Sequence, residues 1–390
     1  MEGISNLFVS CGKIYNKLYC NNIADGTWIE LELKTGVCKQ LNATNIYLGN
    51  GWNNGGDYFL EEDGIVYLVE NNMKRLAWYD TSLDEGGYYF LNGINYTDVL
   101  PNASCAVIYN HRLYIFPRFD TKIIVFNIQD KKIEKYIQIS NIVYNHKKNF
   151  NIETALFPCG MHIKNSVWLF SPYCDSIVQY NLILNKMFIY KYPIDTGKCI
   201  DVSFFNDDFY ILDIGGNIIK WSPLTQKQNI VMKTGKPYPA FGRVVVTEKN
   251  IWVLPAEENE IIFFDHLISK LVVYDEYPLN FHYILRFEHQ SKYFRGCDDK
   301  EWYYFAMCAS NYMLTINKYT GKAHWIKPIP VPWSERRKFL ERLNYPEVSE
   351  LQGYTLNNLI NLTLEYTMQK NIKYINVGNK ILNVTLGECK

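Results

Sequence analysis

The hydrophobic positions of the chain form a repeat of short apolar runs, each containing an aromatic residue. Residues 249–278 hold one complete copy, in which residues 251–253 surround Trp252 and two further runs follow at residues 261–264 and 271–274. Short runs of β-branched and aromatic residues between polar turn residues are typical of β-strands. This copy therefore predicts three consecutive strands, and the apolar run before it predicts a fourth, innermost strand.

The same pattern occurs seven times along the chain. The central aromatic residues of the copies are Tyr19, Tyr67, Tyr114, Trp168, Tyr210, Trp252 and Tyr303. A second landmark follows each of them after 12, 12, 12, 12, 11, 12 and 13 residues, in order at Leu31, Tyr79, Phe126, Tyr180, Trp221, Phe264 and Ile316. So regular a spacing indicates seven copies of one structural unit.

The length of the repeat predicts a β-propeller. Successive central aromatics are 42 to 54 residues apart, and four strands per copy at that period are typical of propeller blades. We therefore predict an all-β fold over residues 1–330, a seven-bladed β-propeller of four-stranded antiparallel blades. Blade one looks complete, because residues 11–16 (CGKIYN) match residues 105–110 (CAVIYN) of blade three. Residues 4–9 could still pair with the last blade to close the ring.

In this architecture the chain resembles the kelch-like and WD40-like β-propeller proteins over about residues 7–328. The resemblance does not extend to their sequence motifs. The glycine pairs at residues 55–56, 86–87 and 215–216 fall at different phases of the repeat, and the Gly-His and Trp-Asp pairs of WD40 repeats are absent. The resemblance implies that ligands bind at the rim where the loops between blades converge.

The pattern changes after the proline-rich residues 328–330. Apolar residues at a spacing of about 3.6 predict one helix over residues 334–344 and a second that starts at Ser349. Residues 372–386 fit either a helix or a strand. We therefore predict a short α-helical C-terminal extension over residues 331–390 that packs on the propeller.

Composition narrows the partners and the compartment. Forty Lys and Arg residues balance forty Asp and Glu residues, so no overall field attracts a nucleic acid or a membrane, and neither is predicted as a partner. The sequence has no signal peptide and no apolar run long enough to span a bilayer, which predicts a cytoplasmic protein. Its ten cysteines show no CxxC pair and are predicted to be reduced core residues.

The longest insertions lie between blades, at residues 45–56, 140–154 and 279–290. Together with the loops between second and third strands, they place aromatic, arginine and carboxylate side chains on one rim. Such groups suit a partner protein, a peptide or a carbohydrate. The predicted ligand-binding residues are Trp52, Arg118, Glu153, Asp201, Tyr238, Arg243, His282 and Arg286.

No local motif assigns a reaction. The chain has no P-loop, GxGxxG, GxSxG or HExxH sequence, so we predict no cofactor, no metal and no catalytic residue. A binding or interaction module is the leading hypothesis. One alternative is a glycosidase, lyase or cyclase with an acid and a base from Glu153, Asp201, His282 and Glu288. A structural subunit of an assembly is another, and His282 with His289 as metal ligands is a weaker one.

Overall fold

The computed structural model of the chain is a β-propeller. Within the described residues the strands form seven four-stranded sheets, and each sheet contains four strands that are consecutive in the chain, paired antiparallel. The structure describes residues 8–22, 28–41, 56–70, 75–91, 103–139, 155–193, 198–283, 292–293, 296–306, 310–332 and 334–335. The predicted all-β, seven-bladed architecture is thereby confirmed.

Blades one to four contain the first sixteen strands. They are β1 (Phe8–Ile14), β2 (Lys17–Asn22), β3 (Trp28–Glu32), β4 (Cys38–Gln40), β5 (Gly56–Glu62), β6 (Ile65–Glu70), β7 (Arg75–Asp80), β8 (Glu85–Phe90), β9 (Ala103–Tyr109), β10 (Arg112–Pro117), β11 (Lys122–Asn127), β12 (Lys132–Gln138), β13 (Cys159–Ile163), β14 (Ser166–Ser171), β15 (Ser176–Asn181) and β16 (Lys186–Lys191). A single turn of 3-10 helix, Pro172–Cys174, joins β14 to β15.

Blades five to seven contain the remaining strands. They are β17 (Cys199–Phe205), β18 (Asp208–Asp213), β19 (Asn217–Trp221), β20 (Gln228–Lys233), β21 (Phe241–Val246), β22 (Asn250–Pro255), β23 (Ile262–Asp265), β24 (Lys270–Val273), β25 (Cys297–Asp298), β26 (Trp302–Phe305), β27 (Met313–Asn317) and β28 (Ala323–Ile326). In each blade, turns between strands one and two and between strands three and four lie on one side, called here the turn face. Second strands end and innermost strands begin on the opposite side, called here the loop rim.

The landmarks of the sequence occupy equivalent places in the blades. All seven central aromatics lie on second strands, and all seven later landmarks lie on third strands. The register explains the spacing. In six blades the residue before the central aromatic pairs with the later landmark, as in Leu113 with Phe126 and Val167 with Tyr180. In blade seven Tyr303 itself pairs with Ile316, which lies 13 residues after it. Six of the central aromatics are buried, and Tyr303 is half-buried. The predicted equivalence is confirmed.

Neighbouring blades pack face to face. Seven hydrophobic clusters are formed by the described residues, and each cluster joins two adjacent blades. At the junction of blades six and seven, for example, Trp252 and Tyr274 pack in one cluster with Leu314 and Ile316. Near the axis the innermost strands approach so closely that a Cβ on Gly12 would lie 2.3 Å from the Cβ of Phe59.

The cysteines belong to this packing. Eight of the ten are described, all eight are free thiols, and six of these are buried. Five of the eight lie on innermost strands, where a small apolar side chain fits between closely spaced blades. Burial raises the pKa of the Cys105 thiol to about 12, so this thiol stays protonated at neutral pH. Cys308 and Cys389 lie outside the described residues.

The ring is closed without a strand shared between its ends, as far as the described residues show. Blade seven consists of β25 to β28, and β1 pairs with β2 of its own blade. The chain then returns to blade one, where Ile329 forms a parallel bridge with Val37. The N–H of Ile329 donates to the carbonyl of Gly36 at 2.7 Å, and the N–H of Cys38 donates to the carbonyl of Ile329 at 3.3 Å. Residues 4–7 lie outside the described residues.

An ion pair crosses the same junction. The Lys13 ammonium of β1 contacts the carboxylate of Asp299, which follows β25. Asp299 also accepts hydrogen bonds from the N–H groups of Glu301 and Trp302, at 2.8 and 2.7 Å, and from the Tyr304 hydroxyl at 3.0 Å. Burial alone would raise the pKa of Asp299, but Lys13 and these donors outweigh it and lower the pKa.

The chain divides into two compact units, residues 1–331 and 332–390. In the second unit, Pro332, Ser334 and Glu335 are described, and the last two are helical. The remainder of the helices predicted over residues 334–344 and from Ser349, and the whole of residues 372–386, lie outside the described residues. No helix among the described residues is long and apolar enough to cross a membrane.

Replacing Trp252 by alanine should lower the free energy of unfolding by about 3 to 5 kcal/mol. Its ring is 2% exposed and lies 4.8 Å from Phe263 and 5.4 Å from Tyr274, centroid to centroid. Denaturant unfolding measures the loss. Tyr319→Ala is the control, because Tyr319 is 51% exposed and should change stability by less than about 0.5 kcal/mol. A loss below about 1 kcal/mol for Trp252→Ala would contradict packing between blades.

Gly36→Ala should weaken the closure of the ring. Gly36 has φ +73, and a Cβ there would lie 2.2 Å from the carbonyl oxygen of Lys327. Gly235→Ala is a matched control, since Gly235 has φ +81 but nothing within 4 Å of the added Cβ. Both variants lose about 1 to 2 kcal/mol through backbone conformation, and Gly36→Ala should lose at least about 1 kcal/mol more. Equal losses in denaturant unfolding would show that this contact does not hold the closure.

Candidate functional site

The loop rim differs from the turn face in the length of its connections. Turns between first and second strands on the turn face are two or three residues long, whereas residues 139–158 separate β12 from β13 and residues 274–296 separate β24 from β25. The first part of the longer connection, residues 274–283, is described and lies at blade seven. It gives the described rim its most extensive ordered loop.

A hydrogen-bonded framework holds this connection against blade seven. Asn311, in the loop between β26 and β27, accepts the N–H of His282 at 3.0 Å and donates through its Nδ2 to the carbonyl of Asn280 at 2.7 Å. Tyr283 forms an antiparallel bridge with Ser310. Two loops from different parts of the chain are thus joined into one surface.

Aromatic side chains form the body of this surface. The ring of Phe281 lies 4.7 Å from that of Tyr277, 5.0 Å from that of Tyr283 and 4.9 Å from that of Trp325 on β28. Trp325 Nε1 donates to the Tyr274 hydroxyl at 3.1 Å. These five residues form what we call the aromatic platform, and all except Tyr274 are partly exposed.

An exposed leucine stands beside the platform. The N–H of Phe281 donates to the carbonyl of Pro278 at 2.9 Å, which closes a tight turn. Leu279 lies in that turn and is 98% exposed. Because the turn is tied to blade seven through Asn280 and Asn311, the leucine is presented from an ordered loop. Leu279 adds apolar surface next to the partly exposed rings of Tyr277 and Phe281, and contiguous apolar surface is typical of protein-binding sites.

Asp201, Tyr238 and Arg243 meet at the junction of blades five and six. Asp201 accepts the N–H of Val244 through Oδ2 at 3.0 Å and contacts Arg243 Nη1 through Oδ1 at 3.4 Å. Both carboxylate oxygens therefore serve the junction between blades. Tyr238 packs against the hydrophobic cluster between blades five and six and donates its N–H to the carbonyl of Ile214 at 2.9 Å.

Arg243 is the least satisfied of these three side chains. Its Nη1 contacts are long, at 3.4 Å to Asp201 and 3.5 Å to the carbonyl of Gly242. Its Nε is buried without a hydrogen-bond partner in the described part of the chain. A guanidinium with unused donors can bind a carboxylate or carbonyl group of a ligand.

The other predicted site residues are separate from this junction or lie outside the described residues. Arg118 is half-buried after β10, and its carbonyl accepts the N–H of Phe157 at 3.0 Å. His282 is exposed on the blade-seven connection, with Nδ1 3.2 Å from the carbonyl oxygen of Asn280. Trp52, Glu153 and Arg286 lie outside the described residues.

The metal alternative involves residues that are mostly not described. Glu288 and His289 lie outside the described residues. The part of the structure that can be described contains no group of three His, Cys, Asp or Glu side chains arranged to hold a metal ion.

The sequence predicted that residues 279–290 lie on the rim, but the aromatic platform and Leu279 were not among the predicted ligand-binding residues. The available signal was the density of aromatic residues in residues 274–283, YDEYPLNFHY, around a Pro-Leu-Asn turn. Trp325 could not be connected with this segment from the sequence, because it belongs to the last strand of the next blade.

Asp201→Asn should change the pH dependence of stability. Burial raises the pKa of Asp201 more than Arg243 and the backbone N–H groups lower it. Because the folded-state pKa exceeds the unfolded value near 4, ionisation costs stability as the pH rises through the folded-state pKa. Between about pH 4 and pH 7, the unfolding free energy of Asp201→Asn should therefore rise relative to that of the wild-type chain.

Asp80→Asn provides a control of opposite sign. Hydrogen bonds from the Ser82 hydroxyl and the N–H groups of Ser82 and Leu83 lower the pKa of Asp80. Its ionised form is therefore favoured in the folded protein, and this stabilisation is lost as the pH falls. Thermal unfolding across the pH range measures the stability of both variants. If Asp201→Asn became less stable relative to the wild-type chain as the pH rises, the raised pKa of Asp201 would be contradicted.

The chain matches no protein-family model, and no curated protein sequence matches it. Its fold is shared with solved structures of low sequence identity. A streptogramin B lyase aligns at 12% identity with a TM-score of 0.53, over 80% of this chain and 93% of the lyase. A catalytically inactive virginiamycin B lyase from Staphylococcus aureus, determined with quinupristin, aligns at 13% identity with a TM-score of 0.54, over 80% and 95%.

A third similar structure is PorZ, a surface component of the type IX secretion system of Porphyromonas gingivalis. It aligns at 9% identity with a TM-score of 0.52, over 85% of this chain and 39% of PorZ. At these identities the similarity shows the propeller fold alone, because one fold carries many unrelated functions. The chain is therefore a seven-bladed β-propeller.

Proposed function

We propose that this protein is a binding module that recognises a protein or peptide partner at the loop rim. The observation that carries the proposal is the ordered turn at Leu279, which is 98% exposed beside the aromatic platform. Aromatic side chains supply large contact area at low cost in conformational entropy, and they are enriched in binding hot spots. A cytoplasmic location and kinship with kelch-like or WD40-like propellers remain parts of this proposal.

The rim supports recognition of an apolar side chain together with an acceptor group. The rings of Phe281 and Tyr277 are tilted by 32° with their centroids 4.7 Å apart, and they can bury an apolar side chain of the partner next to Leu279. Arg243, at the junction of blades five and six, has a side chain that is 18% exposed, and a guanidinium of this kind can bind a carboxylate or a backbone carbonyl. A peptide offers both kinds of group.

The enzyme alternative has less support in the described residues. Asp201 uses its two carboxylate oxygens on Arg243 and Val244, and no contact joins it to His282 in the part of the chain that is described. Glu153 and Glu288, the other proposed acid and base residues, lie outside the described residues. A carbohydrate ligand at the rim is a variant of the binding proposal and would use the same aromatic rings.

Selection of a displayed peptide library on the wild-type chain tests the proposal. Leu279→Asp should weaken the selected peptides about tenfold or more, since it places a charge in the apolar contact. Leu224→Asp is the matched control, because Leu224 is 91% exposed in the turn between β19 and β20 on the opposite side of blade five, and it should leave binding unchanged. Peptides that bind Leu279→Asp as well as the wild-type chain would contradict the proposal.

A further inference from the structure

A second surface with the features of a ligand site lies away from the loop rim. Between blades five and six, on the turn face, the described residues line an open groove of about 770 Å³. Small-molecule sites commonly have volumes of about 300 to 1,000 Å³. One wall comes from β18 to β20 and the turn before β20, and the other comes from Ile251, Phe264 and His266 of blade six.

The polar groups of the groove offer both hydrogen-bond donors and acceptors. Lys220 Nζ lies 2.8 Å from Asp208 Oδ2 and 5.9 Å from the ring centroid of Tyr210. Both residues of this ion pair line the groove. The Thr225 hydroxyl and the Asn229 amide line it as well, and both residues are exposed.

Apolar and aromatic surfaces complete the groove. The rings of Phe264 and His266 lie 5.9 Å apart, centroid to centroid, in an edge-to-face arrangement. Burial lowers the pKa of His266 and Asp265 opposes the shift, so the imidazole is neutral at neutral pH and can both donate and accept. Ile230 is 48% exposed on the opposite wall.

The charges decide which class of ligand suits the groove. A small anion would face the Asp208 carboxylate, and a small cation would face Lys220 together with Lys227. A neutral polyhydroxylated ligand is repelled by neither kind of charge. Each of its hydroxyl groups can both donate and accept a hydrogen bond. Its C–H faces can pack on aromatic rings and on aliphatic side chains.

We propose that the groove between blades five and six is a binding site for a short neutral saccharide. Asp208 and Lys220 bind adjacent hydroxyl groups, Asn229 and Thr225 bind further ones, and Phe264 packs against a sugar face. The site lies on the turn face, so it is independent of the loop rim and of the partner proposed there. A saccharide bound here leaves the rim open to that partner.

Saturation-transfer NMR with maltose, cellobiose and N,N′-diacetylchitobiose tests the site. At least one disaccharide should bind the full-length chain, and the double variant Thr225→Ala/Asn229→Ala should weaken it about tenfold or more. Both substituted residues are exposed, so the variant keeps its fold, which circular dichroism verifies. Gln129→Ala, an exposed amide on the corresponding turn of blade three, is the matched control and should bind like the wild-type chain.

Three outcomes would overturn the proposal. The first is that none of the three disaccharides binds. The second is that the double variant binds them as strongly as the wild-type chain does. The third is that inorganic phosphate or citrate binds at these residues in place of a disaccharide. Arg243→Ala separates the two sites. Saccharide binding that is lost in Arg243→Ala but kept in the double variant would place the sugar at the loop rim. This result would overturn the groove assignment. It would not decide the peptide proposal, which has its own test.

Discussion

Each blade leaves a face of its sheet uncovered until the neighbouring blade packs against it, and the whole fold depends on this contact. The seven hydrophobic clusters each span one junction, and the cluster between blades seven and one includes Met313, Ile326 and Val331 beside Phe8 and Leu18. A ring of this kind has no free end, because the last junction is packed like the others. The rim loops and the groove between blades five and six both exist only because adjacent sheets are held at a set spacing.

The number of blades could be predicted from the sequence because the hairpin between second and third strands keeps a nearly constant length. Leu113 pairs with Phe126 and Val167 with Tyr180 in equivalent positions, so the spacing of landmarks is a direct record of strand register. The burial of the central aromatics could be predicted in the same way, because residues at equivalent positions in the blades have equivalent neighbours. Periodicity is a local property, and it is readable without knowledge of distant contacts.

The closure and the rim could be predicted only in part, because both depend on contacts between distant residues. The meeting of Asp201 with Arg243 follows from the neighbouring positions of two innermost strands, and the sequence placed both on one rim. The bond between Asn311 and His282, by contrast, needs the exact path of two loops. The groove on the turn face was not foreseen, since Asp208 and Lys220 are ordinary polar positions until β18 pairs with β19.

The bridge between Ile329 and Val37 has a consequence for the permutation of the chain. Because each sheet of the described residues consists of four consecutive strands, the described part of the seam between blades seven and one contains no strand from the other end of the chain. Circular permutation could therefore open the chain at another junction between blades without dividing any sheet. A linker would have to join the present ends of the propeller at the bridge between Ile329 and Val37. In a propeller that shares a strand across the seam, one blade contains both ends of the chain, so the native ends lie within a sheet and not between two sheets.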